Sequence, residues 1–188
     1  MGLDRREAVK RLLAERGEML VVSGLGSPTY DVAAAGEDDR NFYLWGAMGS
    51  AAPIGLGLAL AQPSRRVLVV TGDGELLMGL GALASIAAQK PVNLAIVVLD
   101  NERYGETGMQ KSHTAHGTDL AAIAQGAGFA ITATITDEAD LDRIVREIRT
   151  GQGPMLVVLK ITAGEAPRVL PSRDGVDVKN RFRRALGL

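Results

Sequence analysis

The sequence predicts an α/β fold, a doubly wound and mostly parallel sheet with helices on both faces. Three observations predict it. Short runs rich in Val, Ile and Leu ("EMLVVSG", "RRVLVVTGDG", "VNLAIVVLDN") show no polar alternation and end in glycine or Asp-Asn, as strands buried on both faces do. Segments with apolar residues at helical spacing separate these runs. Each separation is long enough for a crossover helix, which makes consecutive strands parallel.

The chain opens with an amphipathic helix in which Ala8, Val9, Leu12 and Leu13 recur at helical spacing, with Asp4 as cap and Gly17 as stop. "EMLVVSG" is the first strand, and "GLGSPTYDVAAAG" reads as a loop. After "FYLWG" comes a glycine- and alanine-rich helix near residues 49–61, then the strand "RRVLVVTGDG" and a helix from about Leu76 to Gln89. "VNLAIVVLDN" is the next strand. "TDLAAIAQGAG" follows as a helix, "FAITATIT" as a strand, "DEADLDRIVREIRT" as a capped helix and "GPMLVVLKIT" as the last strand. The organisation is one domain over residues 1–164, then a proline- and arginine-bearing tail, 165–188, with a short helix packed on the domain or on a partner. A solvated helix at a subunit contact is the preferred reading of that tail.

Composition narrows the function. At 188 residues, 46% hydrophobic and 23% charged, the chain suits one soluble domain with a sizeable core. A net charge of -1 gives no basic footprint for nucleic acid. The absence of cysteine excludes disulfides and thiolate-held clusters and fits a cytoplasmic setting. No stretch is apolar enough to predict a membrane span, because "GAMGSAAPIGLGLALAQP" is half glycine and alanine and holds a proline.

The chemistry concentrates at strand ends, where open parallel sheets bind ligands. Gly72 and Gly74 permit close backbone approach, and the amides at the following helix start suit an anion such as phosphate. Asp73 between them would repel that phosphate unless a cation intervened. Mg²⁺ takes oxygen ligands from one or two carboxylates together with phosphate oxygens. Asn101, twenty-eight positions on and at the next strand end, offers a second oxygen. Gly-Asp-Gly alone is a common turn; its place at a strand–helix junction, followed by Asp100-Asn101, makes the diphosphate reading specific.

Gly72-Asp73-Gly74 with Asp100-Asn101 resembles the signature of the thiamine diphosphate-dependent decarboxylases, in their diphosphate-binding (PP) domain. "VLDNERYGETGMQKSHT" is similar, more narrowly, to the sulfopyruvate and phosphonopyruvate decarboxylase group. The likeness runs from about residue 5 to 162. It implies Asp73, the side chain of Asn101 and the main-chain carbonyl of Arg103 as ligands of Mg²⁺. It implies Gly46 and Met48 at the aminopyrimidine, Met48 as the wedge that bends the cofactor, although a methionine there is ordinarily core. Gly26 and Ser27 correspond to diphosphate-binding positions or to a plain loop turn. The likeness also implies Tyr104 and Gly105 beside the cofactor. Glu75, where relatives often have a small or hydroxylated residue, also sits beside it, and its carboxylate is expected to face away from the diphosphate. Tyr104, Thr107, Gln110 and His113 are candidates to meet substrate, with His113 as proton donor or anion contact, against the alternative of a surface histidine.

The resemblance further implies a decarboxylase of a small anionic 2-oxo acid, with release of CO2 and an aldehyde. The glutamate-bearing pyrimidine domain is expected on an α subunit, in a hetero-oligomer of even subunit number and with the chain inactive alone. Two other functions fit: the β subunit of a 2-oxo acid:ferredoxin oxidoreductase, and a non-catalytic thiamine diphosphate-binding module.

Overall fold

The computed structural model describes residues 2–164 and 166–188; Met1 and Glu165, the latter the first residue of the predicted tail, lie outside them. In chain order the elements are α1 (Arg5–Leu13), β1 (Leu20–Ser23), α2 (Ser27–Ala35), β2 (Asn41–Tyr43), α3 (Ala51–Ala61), β3 (Val67–Gly72), α4 (Asp73–Met78) and α5 (Ala82–Gln89). They continue as β4 (Leu94–Asp100), β5 (Arg103–Tyr104), β6 (Gln110–Lys111), α6 (Leu120–Ala127), β7 (Ile131–Ile135), α7 (Glu138–Thr150), β8 (Met155–Lys160) and α8 (Gly175–Ala185).

Six strands form one sheet in the order β2-β1-β3-β4-β8-β7, and every pair in it is parallel. Two faces follow from the pleat, since successive side chains point to opposite sides. Leu68 and Val70 of β3 join Val9, Leu12, Val32, Ile144 and Ile148 under α1, α2 and α7. Val67 and Val69 join Ala52, Ala59, Ile86, Leu120 and Ala124 under α3, α5 and α6. Both faces are covered, which is the doubly wound arrangement.

Four local expectations are corrected. The stretch 24–36 is not a loop: residues 27–35 are α2. Pro28 in its first turn supplies helical φ, and Val32 and Ala33 bury its inner face. Its N-cap is Gly26 at φ 76°, with no side-chain cap bond. The helix expected over 76–89 is two helices, starting at Asp73 and interrupted over residues 79–81. Gly79 is pressed on Gly49: a Cβ on Gly79 would lie 2.0 Å from the Gly49 carbonyl oxygen. The first helix ends at Leu13, where its buried stripe ends and Ala14 turns extended. Finally, α8 is solvated along most of its length but not on every side. It buries Val178 and Phe182, and Phe182 meets Phe42 edge-on at 5.4 Å between ring centroids.

No helix among the described residues is long and apolar enough to cross a membrane.

Candidate functional site

The central strands β1, β3 and β4 lie side by side and end together, with Ser23 opposite Val70 and Gly72 opposite Leu99. Above these ends lies a cavity open on one side, lined among others by Ser27, Met48, Gly72, Asp73, Gly74, Asn101, Arg103, Tyr104 and Gly105. Ten of the positions singled out in the sequence, Glu75 and Thr107 included, thus converge with Asp73 although they come from four separate segments.

Asp73 opens α4 and is 2% exposed. Its Oδ2 accepts from the Ser112 hydroxyl and stands 3.2 Å from that of Thr114. Thr114 Oγ1 also lies 2.8 Å from Asp100 Oδ1, and Asp100 Oδ2 accepts from Lys160 Nζ at 2.9 Å. The chain of contacts is therefore Asp73, Thr114, Asp100, Lys160. Burial pushes the Asp73 carboxyl above the usual carboxylate range; the Ser112 bond opposes this and the neighbouring Asp100 charge adds to it.

Asn101 turns its Oδ1 back onto the Arg103 N–H at 3.0 Å, the Asx turn that starts the β5–β6 hairpin. A carbonyl oxygen has a second lone pair, so Oδ1 keeps one for a ligand. The donor set therefore fits a hard divalent cation: a desolvated carboxylate whose partners are hydroxyls, with an amide oxygen on the next strand end.

The space beside Gly72 is open, the nearest atom to a Cβ there being Pro28 Cγ at 3.9 Å. Gly74 is instead covered by Tyr104, whose ring would lie 2.6 Å from such a Cβ. Because α4 is a six-residue helix, the local amides of the Gly72–Gly74 turn carry more of any anion binding than its macrodipole.

Glu75 lines the same cavity, with its carboxylate engaged by the protein itself. It is buried, its Oε1 accepts the Ala51 N–H at 3.1 Å at the start of α3, and its Oε2 accepts from the Thr71 hydroxyl. A Cβ on Gly24 would meet Oε2 at 2.0 Å, so a side chain there would displace the Glu75 carboxylate.

Other positions stand at the margins. Met48 is 37% exposed at the cavity edge. Gly46 lies in the same connection between β2 and α3, outside the cavity lining. Gly26 caps α2 and sets Ser27 facing the cavity. His113 is exposed and outside the lining, its Nδ1 3.2 Å from the Tyr104 hydroxyl. Thr107 lines the cavity and bonds the exposed Gln110.

The sequence did not point to Ser112, Thr114, Lys160, Arg5 or Asp31. One signal existed: Arg5 and Arg6 occupy the first turn of α1, where the helix dipole disfavours cations. They pair there with the fully buried Asp31, at 3.3 and 2.6 Å.

Residues 29–159 match the thiamine pyrophosphate enzyme C-terminal TPP binding domain. The chain is 37% identical over 182 residues to the sulfopyruvate decarboxylase subunit beta of Methanothermobacter thermautotrophicus, covering 97% of this chain and 95% of that one. It is 40% identical to the phosphonopyruvate decarboxylase of Streptomyces viridochromogenes, over 95% of this chain and 45% of that enzyme. The crystal structure of benzoylformate decarboxylase from Polynucleobacter necessarius shares the fold with a TM-score of 0.77 at 22% identity, covering 89% of this chain and 34% of that one. A buried aspartate at one strand end, an asparagine at the next and this match over most of the sequence lead to one conclusion: the chain belongs to the thiamine pyrophosphate enzyme family.

Proposed function

We propose that the chain is the diphosphate-binding β subunit of a Mg²⁺-dependent decarboxylase of a small anionic 2-oxo acid, sulfopyruvate or phosphonopyruvate in type. It yields CO2 and an aldehyde together with an α subunit that carries the pyrimidine-binding domain. The names of the relatives support the reaction and the subunit character. The observation that carries the reading is Asp73, a desolvated carboxylate beside Asn101 at the mouth of an open cavity. Thiamine diphosphate, when bound, supplies a carbon nucleophile for the keto carbon and an electron sink for the departing carboxylate.

The residues of this chain bind and orient. Asp73 and Asn101 hold the cation, with the Arg103 carbonyl as third protein ligand. Ser112 and Thr114 fix the Asp73 rotamer by occupying Oδ2. The Gly72–Gly74 amides and Ser27 receive the diphosphate. Met48 and Gly46 border the aminopyrimidine, and the apolar floor at Leu99 and Ile161 excludes water. Tyr104 lines the cavity and is hydrogen-bonded to His113; its role in this reading is to offer its hydroxyl to substrate and draw on the imidazole for a proton.

The test is reconstitution with an α subunit and assay of CO2 and aldehyde release from sulfopyruvate and phosphonopyruvate without an electron acceptor. Asp73→Ala is expected to abolish turnover and to remove Mg²⁺-dependent thiamine diphosphate binding. Full activity after Asp73→Ala, or turnover only with an electron acceptor, would overturn the reading.

A further inference from the structure

Residues 166–174, in the connection from β8 to α8, run without regular structure and mostly exposed, yet they are tied down. Pro171 is buried and Ser172 half-buried. The Arg6 guanidinium donates to the Pro167 carbonyl. The indole Nε1–H of Trp45 donates to the Ser172 carbonyl at 2.8 Å, across 127 positions. Arg173 lies over the Trp45 ring, 5.2 Å from its centroid, and Tyr30 of α2 meets the same ring at 6.2 Å between centroids. Trp45 is thus held by the C-terminal segment and by α2 together.

The connection that Trp45 begins needs such a grip. Residues 44–50 lead from β2 to α3, and Gly46, Ala47 and Met48 are exposed. Among the described residues, no N–H of residues 45–49 donates a hydrogen bond, and the Trp45 indole makes the one side-chain hydrogen bond of the stretch. Two residues hold left-handed backbone, Ala47 at φ 56° and Gly49 at φ 91°. For alanine that conformation is unfavourable, and it persists only where surrounding contacts over-determine it. At the far end the close approach of Gly49 to Gly79 is one such contact. At the near end the contact is Trp45.

We infer that the C-terminal segment is a strap, and that Trp45 is the positioning residue through which it fixes residues 44–50 and so holds Met48 at the cavity edge for the cofactor. A connection already in its bound shape loses less freedom when ligand arrives, and affinity rises accordingly. The link to the cofactor rests on the function proposed above. The mechanical link, from Ser172 through Trp45 to the connection, does not.

Two measurements on the α/β complex test the two links, with thermal melts as the control for folding. The chain contains no cysteine, so Ala47→Cys, labelled with a nitroxide before the subunits are combined, reports on the connection alone. Trp45→Phe keeps the ring and removes the N–H donor. Without cofactor it is expected to sharpen the nitroxide lines, as a freer connection would. Calorimetry on unlabelled complex with thiamine diphosphate and Mg²⁺ is expected to show a Kd weakened about 2- to 10-fold, the span of one neutral hydrogen bond. Arg173→Gln, an exposed change that takes the cation off the ring, should act in the same direction by about 2- to 5-fold, and it carries both readings should Trp45→Phe fail to fold. Unaltered nitroxide lines overturn the strap. A lower Tm with an unchanged Kd makes the tether structural only and overturns its service to the cofactor. A wild-type complex that binds no thiamine diphosphate defeats the decarboxylase reading, while the nitroxide spectra still decide whether the strap holds the connection.

Discussion

Gly79→Ala should unfold the chain more easily than its chemistry suggests. The added methyl would stand 2.0 Å from the Gly49 carbonyl oxygen, 2.8 Å from its carbon and 2.9 Å from its Cα. All three are backbone atoms, so no rotamer change relieves the clash. Carbon and carbonyl oxygen settle at ~3.3 Å, so the two segments must part by about 1 Å. Overpacking costs ~1–3 kcal/mol, and a contact between two backbones belongs at the upper end. For a chain of this size each kcal/mol moves Tm by ~2–4 °C, giving a fall of about 6–12 °C. Because Gly49 follows Met48, cofactor affinity of the α/β complex should fall as well. Gly57→Ala is the matched control. It lies exposed within α3 with nothing within 4 Å of its Cβ position, and helix propensity alone predicts a gain of ~0.8–1 kcal/mol. Thermal melts followed by circular dichroism read both variants. Equal Tm values for Gly79→Ala and wild type, or a lower Tm for Gly57→Ala, would refute the steric reasoning.

Three further outcomes are expected. Glu75→Ala strips the Ala51 N–H of its buried acceptor and should cost ~1–3 kcal/mol, whereas Glu75→Gln keeps an acceptor and leaves cofactor affinity unchanged; a large drop in that affinity for Glu75→Gln would place the carboxylate on the cofactor instead. Thr114→Val removes the hydroxyl shared by Asp73 and Asp100 and should lower stability by ~1–2 kcal/mol, measured as a lower urea midpoint; an unchanged midpoint counts against the network. Asp38, fork-bonded to Arg40 at 2.8 Å, has its carboxyl lowered from 3.8 to about 2, chiefly by that hydrogen bond and against desolvation. A folded-state value below the unfolded one means the stabilisation is present above the unfolded value and is lost as pH falls through about 2. The pair is partly exposed, so ~2 kcal/mol at full strength shrinks to about 1. Wild type should lose that much more than Asp38→Asn between pH ~5 and ~2, and parallel stability curves would remove Asp38 from the acid limb.

What was legible in the sequence was local. The runs at Val67–Gly72 and Leu94–Asp100 announce buried strands through composition alone, and Gly72-Asp73-Gly74 with Asn101 marks strand-end positions that share one cavity. The helix α2 escaped notice because a glycine at φ 76° replaces the usual capping side chain. The break between α4 and α5 depends on Gly49, thirty positions away, so no window around Gly79 contains its cause. The same holds within the site. Ser112 and Thr114 reach Asp73 across 39 and 41 positions, and Lys160 reaches Asp100 across 60. Hydrogen-bonding partners brought together by crossover connections leave no spacing to read. Arg5 and Asp31 did leave one, an unfavourable charge at a helix start, which has meaning only beside a buried acid.

The position of β3 and β4 at the centre of the sheet has a kinetic corollary. Their amides are flanked on both edges and roofed on both sides, so deuterium from solvent should enter them only through global opening. Asp73 and Asn101 are tethered to these slowest-exchanging segments. Residues 103–116, by contrast, form a two-by-two-residue ribbon and short 3₁₀ turns. That stretch should exchange faster, except where Ser112 and Thr114 anchor it to Asp73.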